Sequence, residues 1–215
     1  MSTLTISVLQ SALHWLDKDA NLAMFNRQLE SITEQPDLIL LPETFATGFA
    51  VNLACAEPEN GKVLSWLKAQ AAKHNAVIAG SVLVTQGDKK ANRFYWVQAN
   101  GDVSYYDKRH LFCLGQEGDF VVAGQQRKVF TIKGFKLLPQ VCYDLRFPVF
   151  QRNTDDYDVM VNIANWPAVR RHVWDTLLMA RAMENLCYVV GVNRIGEDGN
   201  GVALNGGTAV YDFKG

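Results

Sequence analysis

The sequence is poor in the features that mark secreted, zinc-bound or membrane-inserted proteins. It has four cysteines, Cys55, Cys113, Cys142 and Cys187, which are widely spaced and form no C-x-x-C pair. This spacing suggests neither a disulfide framework nor a zinc site, and it favours free thiols in a reducing compartment. No apolar run reaches membrane-spanning length, and the N-terminus lacks the basic region and long apolar core of a signal peptide. We therefore expect a cytoplasmic protein that does not contact a membrane.

Charge of one sign is not in excess either. The 21 Lys and Arg residues nearly balance the 22 Asp and Glu residues, which gives a formal net charge of -1. Such a balance offers no electrostatic attraction for nucleic acid or for an anionic membrane surface. With 215 residues, 48% of them hydrophobic and 20% charged, the chain is expected to form a single domain over residues 1–215 with a sizeable core.

What the sequence does contain is an alternation of strand-like and helix-like segments. Apolar residues at helical spacing predict helices over 17–34, 61–75 and 169–186. Apolar or alternating runs predict strands over 3–10, 38–41, 77–84, 94–98, 103–106, 128–132, 135–138, 159–163, 188–192 and 208–211. Turn signals at 86–88 and 100–101 predict hairpins between neighbouring strands. This alternation is typical of an α/β fold in which helices cover layered sheets.

Cys142 is the first candidate for a reactive group. It follows an apolar run that begins at Phe135, and it enters a polar turn before a helical turn predicted from Arg146 to Phe150. Ligands of layered α/β proteins usually bind at the carboxyl ends of strands, and a helix N-terminus stabilises a thiolate. Both features favour a nucleophile. The alternative is that Cys142 packs as a small hydrophobe, because free cysteine is often buried.

Glu43 and Lys108 also follow predicted strands. Glu43 comes after the buried run 38–41 and a proline, and Lys108 comes after the strand 103–106. A thiol needs an adjacent base or cation to be a good nucleophile at neutral pH. A desolvated carboxylate and an ammonium meet these needs if the strand ends converge on one rim of the molecule. Taken singly, Glu43 is better explained as a loop or capping residue, and Lys108 as part of a solvated charge cluster.

Together these segments resemble the carbon-nitrogen hydrolase, or nitrilase, family, and specifically its omega-amidase branch. The resemblance runs along essentially the whole chain, and its motifs are Leu41-Pro42-Glu43, Tyr106 to Phe112, Cys142 to Pro148, Asn165-Trp166-Pro167, Ala180 to Asn185, Gly191 to Arg194 and Gly206-Gly207-Thr208. It implies a four-layer αββα sandwich that commonly dimerises sandwich on sandwich, so a homodimer is expected. It also implies a further strand and a tail beyond 211–215, which these 215 residues lack.

The resemblance implies a role for each reactive residue. Glu43 would be the general base and acid, Lys108 the oxyanion stabiliser, and Cys142 the nucleophile. Glu117 is placed like the family's second glutamate, which orients the lysine, and a surface carboxylate is the alternative for it. The backbone N–H of Tyr143 would be a second oxyanion donor. This chemistry is amide hydrolysis through a thioester, and it requires no metal and no organic cofactor.

The substrate is implied by the resemblance and by one arginine. Arg146 lies where relatives acting on carboxylated substrates carry an arginine, and a guanidinium pairs bidentately with a carboxylate. The alternative role of Arg146 is a structural ion pair with Asp144 or another buried acid. Phe45, Trp166 and Thr208 are further candidates for a small substrate pocket, although aromatic residues more often belong to the core. The implied substrate is a small-molecule amide, 2-oxoglutaramate or 2-oxosuccinamate, which would yield the 2-oxo dicarboxylate and ammonia.

Three other readings stay open. Another nitrilase-family amidase or an N-carbamoyl hydrolase would use the same residues on a different substrate. A papain-like enzyme would pair Cys142 with His110 or His172. A non-catalytic interaction protein is the third, because a missing C-terminal strand would uncover a sheet edge. The presence of every reactive group favours an incomplete or shortened enzyme over a scaffold.

Overall fold

The computed structural model describes residues 3–215 and places twelve strands and five α-helices within them. The strands are β1 Ile6–Val8, β2 Leu38–Leu40, β3 Val77–Gln86, β4 Lys89–Val97, β5 Val103–Asp107, β6 Phe130–Ile132, β7 Phe135–Val141, β8 Val159–Ala164, β9 Tyr188–Asn193, β10 Ile195–Glu197, β11 Ala203–Asn205 and β12 Ala209–Tyr211. The helices are α1 Lys18–Glu30, α2 Lys62–His74, α3 Glu117–Phe120, α4 Pro148–Gln151 and α5 Arg171–Asn185.

The first sheet has five strands in the order β1-β2-β3-β4-β5. Strands β1, β2 and β3 run parallel, whereas β4 and β5 return antiparallel as two hairpins. The first hairpin closes at Gly87, which has a positive φ of 59° that a glycine adopts at little cost. Gln86 pairs with Lys89 across this turn, so β4 begins five residues earlier than predicted. Both predicted hairpins are confirmed.

The second sheet also has five strands, in the order β12-β9-β8-β7-β6. Strands β7, β8 and β9 pair in parallel at the centre, and the antiparallel strands β6 and β12 form the two edges. A separate antiparallel pair, β10 with β11, was not predicted from the sequence. Its strands have three residues each and are largely exposed, so they carry no apolar run that would signal them.

Three apolar clusters show how the layers stack. Helices α1 and α2 cover the outer face of the first sheet, where Phe25 and Leu67 are buried. A second cluster, which includes Leu40 and Val161, fills the space between the two sheets. Helix α5 covers the outer face of the second sheet through Trp174 and its neighbours. This arrangement is the predicted four-layer αββα sandwich.

The helix ends follow local capping chemistry. The Asp17 carboxylate accepts the Ala20 N–H at 2.9 Å and caps α1. Asn75 ends α2 in the left-handed conformation, with φ at 46°. Helix α5 is shorter than predicted because Pro167 is followed by a 3-10 turn over Ala168–Arg170 before the helix begins. Within the described part of the chain, no helix has both the length and the apolar character needed to cross a membrane.

Candidate functional site

The structure brings Glu43, Lys108 and Glu117 into one buried cluster. The Lys108 Nζ donates to Glu43 Oε1 at 3.0 Å and to Glu117 Oε2 at 2.9 Å. All three side chains have zero exposure. Burial disfavours the charge on Lys108, but the carboxylates of Glu117 and Glu43 outweigh it and raise the pKa of the ammonium. The lysine is therefore a permanent cation held between two carboxylates.

Cys142 completes this cluster at the end of β7. It is the first residue of a 3-10 turn over Cys142–Arg146, and its φ of 50° lies in the left-handed region. Such a backbone is strained for a residue with a side chain, and it is often found at functional sites. Burial raises the pKa of the Cys142 thiol well above its ordinary value, and the neighbouring Glu43 carboxylate raises it further. Lys108 opposes this shift without reversing it.

The expectation that a helix N-terminus stabilises a Cys142 thiolate is therefore wrong. Only a five-residue 3-10 turn starts at Cys142, and α4 does not begin until Pro148. A short turn carries little of the dipole of a long helix. Burial and the carboxylates of Glu43 and Glu117 act on the sulfur instead, and all three favour the protonated thiol. A thiol with a raised pKa needs a neighbouring base to become a good nucleophile.

Two asparagines that the sequence analysis did not single out fix Glu43. Asn92 Nδ2 donates to Glu43 Oε1 at 2.8 Å, and the Asn165 N–H donates to Glu43 Oε2 at 2.9 Å. Asn165 Nδ2 also donates to the Glu43 carbonyl at 2.7 Å. Asn165 belongs to the Asn165-Trp166-Pro167 motif and could have been found from it. Asn92 lies inside β4, where nothing in the sequence distinguishes it.

Glu117 is fully buried, so the alternative of a surface carboxylate does not apply to it. It opens the four-residue helix α3 after a left-handed residue, Gln116. Its Oε2 accepts the Phe112 N–H at 2.6 Å as well as the ammonium of Lys108. Burial raises the pKa of Glu117, and the ammonium opposes that rise. The side chain is thus anchored from both the backbone and the lysine.

Asp144 joins the lysine turn to the cysteine turn. Its Oδ2 accepts the Val141 N–H at 3.0 Å and the Tyr106 hydroxyl at 2.8 Å. Its Oδ1 accepts the His110 N–H at 2.8 Å and lies 2.8 Å from His110 Nδ1. Burial and the charge of Asp144 raise the pKa of Tyr106 well above its ordinary value, so the tyrosine remains a donor. One buried carboxylate thereby fixes the positions of Lys108 and Cys142 relative to each other.

A cavity of about 250 Å³ opens beside Cys142. Tyr143, Arg146 and Trp166 line it. Arg146 makes no ion pair with Asp144, and its guanidinium lies 5.5 Å from the centre of the Trp166 ring. Further lining residues are Phe49, Val51, Asn52, Phe112, Gly115, Gln116, Phe120, Asn165, Pro167, Arg170, Asp198, Asn200, Val202 and Leu204.

Phe45 and Thr208 do not line this cavity, which corrects the expectation for both. Phe45 is fully buried in the cluster beneath α1 and α2, with its ring 5.6 Å from that of Phe25. The backbone turns between Glu43 and Phe45, because Thr44 has a φ of 44°. The Thr208 hydroxyl is used within the sheet, where it accepts the Asn193 N–H at 3.1 Å and donates to the Asn193 carbonyl at 3.2 Å.

The two histidines of the papain-like alternative are placed elsewhere. His110 faces Asp144 through Nδ1, and its ring stacks on Phe147 at 3.9 Å between centroids. His172 is exposed on the first turn of α5. Within the described residues 3–215, neither histidine makes a hydrogen bond to the Cys142 thiol. Among residues 3–215, no group of three or more His, Cys, Asp and Glu side chains is arranged to hold a metal ion.

An αββα sandwich with a buried carboxylate, ammonium and thiol at its strand ends defines a hydrolase of the nitrilase class. The model of the carbon-nitrogen hydrolase family matches residues 5–215, and the chain belongs to that family. It is therefore an enzyme that acts on carbon-nitrogen bonds.

The relatives of this chain include amidases. It is 48% identical over 215 residues to the omega-amidase YafV of Yersinia enterocolitica, covering 100% of this chain and 84% of the relative. It is 34% identical to the 2-oxoglutaramate amidase of Bacillus subtilis, covering 90% of this chain and 77% of the relative. A solved CN-hydrolase superfamily protein from Xanthomonas campestris, described with an arsenic adduct in its active site, superposes with a TM-score of 0.96 at 43% identity, covering 100% of this chain and 84% of that one.

Proposed function

We propose that this chain is an omega-amidase. It would hydrolyse the terminal amide of a small carboxylated substrate, such as 2-oxoglutaramate or 2-oxosuccinamate, to the 2-oxo dicarboxylate and ammonia. The observation that carries this proposal is the buried contact of Lys108 with Glu43 and Glu117 beside the Cys142 thiol, and Cys142 lines a cavity that also holds Arg146. The names of the relatives support the same activity.

The first half of the proposed reaction forms a thioester. The Cys142 thiol passes its proton to Glu43 as the sulfur attacks the amide carbon, and a tetrahedral oxyanion forms. Lys108 Nζ and the Tyr143 N–H stabilise that oxygen, since the first N–H groups of a helical turn have no partner within the turn. Removal of one such donor typically lowers kcat by about 10²–10³-fold. Glu43 then gives its proton to the amide nitrogen, the carbon-nitrogen bond breaks and ammonia leaves.

The second half hydrolyses the thioester. A water molecule enters, Glu43 takes one of its protons, and the resulting hydroxide adds to the thioester carbon. The same two donors stabilise the second oxyanion. When the carbon-sulfur bond breaks, Glu43 returns the proton to the Cys142 sulfur and the acid product leaves. Glu43 needs a fixed orientation to serve both halves, and the hydrogen bonds from Asn92 and Asn165 provide it.

Arg146 is the proposed partner of the substrate carboxylate. Its guanidinium lies over the Trp166 ring at 5.5 Å and the Tyr143 ring at 5.8 Å, within the wall of the cavity. Aromatic faces hold a guanidinium without using its N–H groups, so the donors stay available for a ligand. A substrate with a carboxylate at the end away from its amide would then place the amide towards Cys142.

The test is a panel of substrates. Ammonia release from 2-oxoglutaramate and 2-oxosuccinamate is compared with release from aliphatic amides, nitriles and N-carbamoyl amino acids. We expect the two 2-oxo amides to have the highest kcat/KM, and a preference for any of the other classes would overturn the proposal. Cys142→Ala should abolish turnover with the melting temperature retained. The matched control is Cys113→Ala, since Cys113 is an exposed thiol that does not line the cavity.

We also propose that residues 1–215 form a single domain and that the enzyme is a cytoplasmic homodimer. The thiols of Cys55, Cys142 and Cys187 are free, which fits a reducing compartment. Helix α5 exposes 38% of Met179 and 44% of Met183 on its outer face, an apolar surface suited to a second copy. Light scattering coupled to gel filtration should give twice the chain mass, and Met183→Glu should shift it towards the monomer.

A further inference from the structure

Two arginines that line the cavity, Arg146 and Arg170, are not paired within the protein. In the region that the structure describes, neither guanidinium makes a side-chain hydrogen bond or lies within 4.0 Å of a carboxylate. Four other arginines of the chain are paired with carboxylates. The pairs are Arg93 with Asp107, Arg127 with Asp156, Arg171 with Asp175 and Arg181 with Glu184. Since a guanidinium has five N–H donors, two free ones in a small cavity form a strong site for an anion.

Aromatic rings place both guanidiniums on one wall. Arg170 lies 5.3 Å from the centre of the Phe112 ring, and Arg146 lies 5.8 Å from that of Tyr143. The Phe112 and Tyr143 rings meet edge to face, with centroids 5.2 Å apart. All four residues line the cavity, and Tyr143 directly follows Cys142 in the chain. The two positive charges therefore face the same space as the thiol.

The backbone of Arg170 is fixed in place. It ends the 3-10 turn that follows Pro167, and its N–H donates to the Pro167 carbonyl at 3.0 Å. Its carbonyl accepts Trp166 Nε1 at 2.9 Å. The same Trp166 ring lies under the Arg146 guanidinium at 5.5 Å, so one side chain supports both arginines. A cation on such a rigid support loses little entropy when it binds a ligand.

Asp198 is the only carboxylate-bearing residue among those that line the cavity, and it does not neutralise the two arginines. Its Oδ1 accepts the N–H groups of Asn200 at 2.8 Å and Val202 at 2.9 Å, so it is used to fix its own loop. It also makes no ion pair with either arginine. The cavity keeps an excess of positive charge at the wall beside the thiol.

We propose that Arg170 is a second anion-binding residue that acts with Arg146 to select the substrate. This inference rests on the proposed omega-amidase function and adds the substrate class. A single carboxylate cannot accept hydrogen bonds from all the N–H donors of two guanidiniums, because each guanidinium presents its own pair of parallel donors. The site suits a carboxylate with a further acceptor oxygen beside it, as in a 2-oxo acid. A mono-amide with only an isolated carboxylate should bind less well.

The experiment measures kcat and KM for wild type, Arg170→Met, Arg170→Lys and the control Arg152→Met. Arg152 is exposed, and its side chain has no part in the cavity. Substrates are 2-oxoglutaramate, glutaramate, which lacks the keto oxygen, and the uncharged pentanamide. Loss of a charge-assisted contact should raise the KM of Arg170→Met for 2-oxoglutaramate by about 10- to 100-fold, with kcat within about threefold. Its KM for pentanamide should not change, and Arg170→Lys should lie between wild type and Arg170→Met.

Binding of 2-oxoglutarate, measured by calorimetry, gives a readout that does not depend on turnover. Its Kd should weaken in Arg170→Met by the same factor as the KM and stay unchanged in Arg152→Met. Arg170→Gln replaces Arg170→Met if the methionine variant does not fold. If wild type prefers pentanamide to both acids, the proposed omega-amidase function fails. If wild type prefers 2-oxoglutaramate but the Arg170 variants keep its KM and the Kd of 2-oxoglutarate, the role of Arg170 is refuted.

Discussion

Asp144→Asn tests whether one carboxylate holds the lysine and cysteine turns together. The change keeps the shape of the side chain but turns one acceptor oxygen into an NH₂ donor. If the amide nitrogen replaces Oδ2, it faces the N–H of Val141, and if it replaces Oδ1, it faces the N–H of His110. Tyr106 and the His110 ring can reverse their hydrogen-bond roles, but a backbone N–H cannot. Either orientation therefore leaves one backbone donor without an acceptor.

The magnitude follows from these contacts. A buried donor that loses its acceptor costs about 1–3 kcal/mol, and the hydrogen bonds that remain lose their charge assistance. We expect a loss of about 2–4 kcal/mol in the free energy of unfolding. For a chain of this size each kcal/mol lowers Tm by about 2–4 °C, so the fall should be roughly 4–16 °C. A shift of the cysteine turn by about 1 Å would lower kcat about 10²-fold.

The assay combines calorimetric melting with ammonia release from 2-oxoglutaramate. Tyr106→Phe is the control, because it leaves the carboxylate and both backbone donors to it in place, although it removes the bond of the hydroxyl to Oδ2 and its bond from the Arg109 N–H. It should cost about 1–3 kcal/mol and change kcat much less than Asp144→Asn does. An Asp144→Asn protein with wild-type Tm and kcat would refute the idea that Asp144 sets the distance between the two turns.

Three further predictions concern single residues. Glu117→Gln should lower kcat about 10²-fold with little change in KM, because Lys108 loses the charge that orients it, and an unchanged kcat in steady-state assays would contradict this. Phe45→Ala should lower the free energy of unfolding, measured in urea, by about 3–5 kcal/mol without raising KM. A raised KM at an unchanged urea midpoint would instead indicate that Phe45 lines the cavity. Burial raises the pKa of Cys187 from 9.0 to about 11. The contribution of this thiol to the free energy of unfolding should therefore be complete below about pH 9 and be lost as pH rises from 9 to 11, because the unfolded chain loses the proton first. Across this pH range the urea midpoint should fall less steeply in Cys187→Ala than in wild type, and as steeply as wild type in the control Cys113→Ala. Equal slopes in all three proteins would show that titration of Cys187 does not affect stability.

The convergence of Glu43, Lys108 and Cys142 could be anticipated because each follows the end of a strand. An apolar run that stops at a polar residue marks the point where the backbone leaves a sheet, and β2, β5 and β7 all end towards the same region. The α/β class could be anticipated for the same reason, since buried strands and amphipathic helices leave different periods in the sequence. Contacts between strand ends, however, depend on the way the two sheets stack.

Asn92 and Phe45 show why the rest could not be predicted. Asn92 reaches Glu43 only because the Gly87 turn sets the register of β3 and β4, which places Asn92 opposite Leu83. A shift of one residue would turn its side chain to the other face of the sheet. Phe45 lies two residues from Glu43 in the chain, yet the left-handed backbone at Thr44 directs it into the core under the helices. Proximity in sequence is a poor guide where the backbone reverses.

The charges of the cluster explain why the proposed base must lie inside it. With the thiol protonated, Glu43, Lys108 and Glu117 carry two negative charges and one positive charge in a buried space. If Cys142 lost its proton to solvent, a negative charge would appear in a buried space beside two carboxylates, and burial together with these carboxylates raises the pKa of the thiol. Transfer of the same proton to Glu43 moves the negative charge from oxygen to sulfur and leaves the net charge of the cluster unchanged. In the proposed mechanism we therefore expect the thiolate to form through Glu43, and most readily when an attacked carbonyl can draw the charge away from sulfur. We expect the Cys142 thiol to resist alkylation in the absence of substrate and to react when a carbonyl is bound beside Lys108.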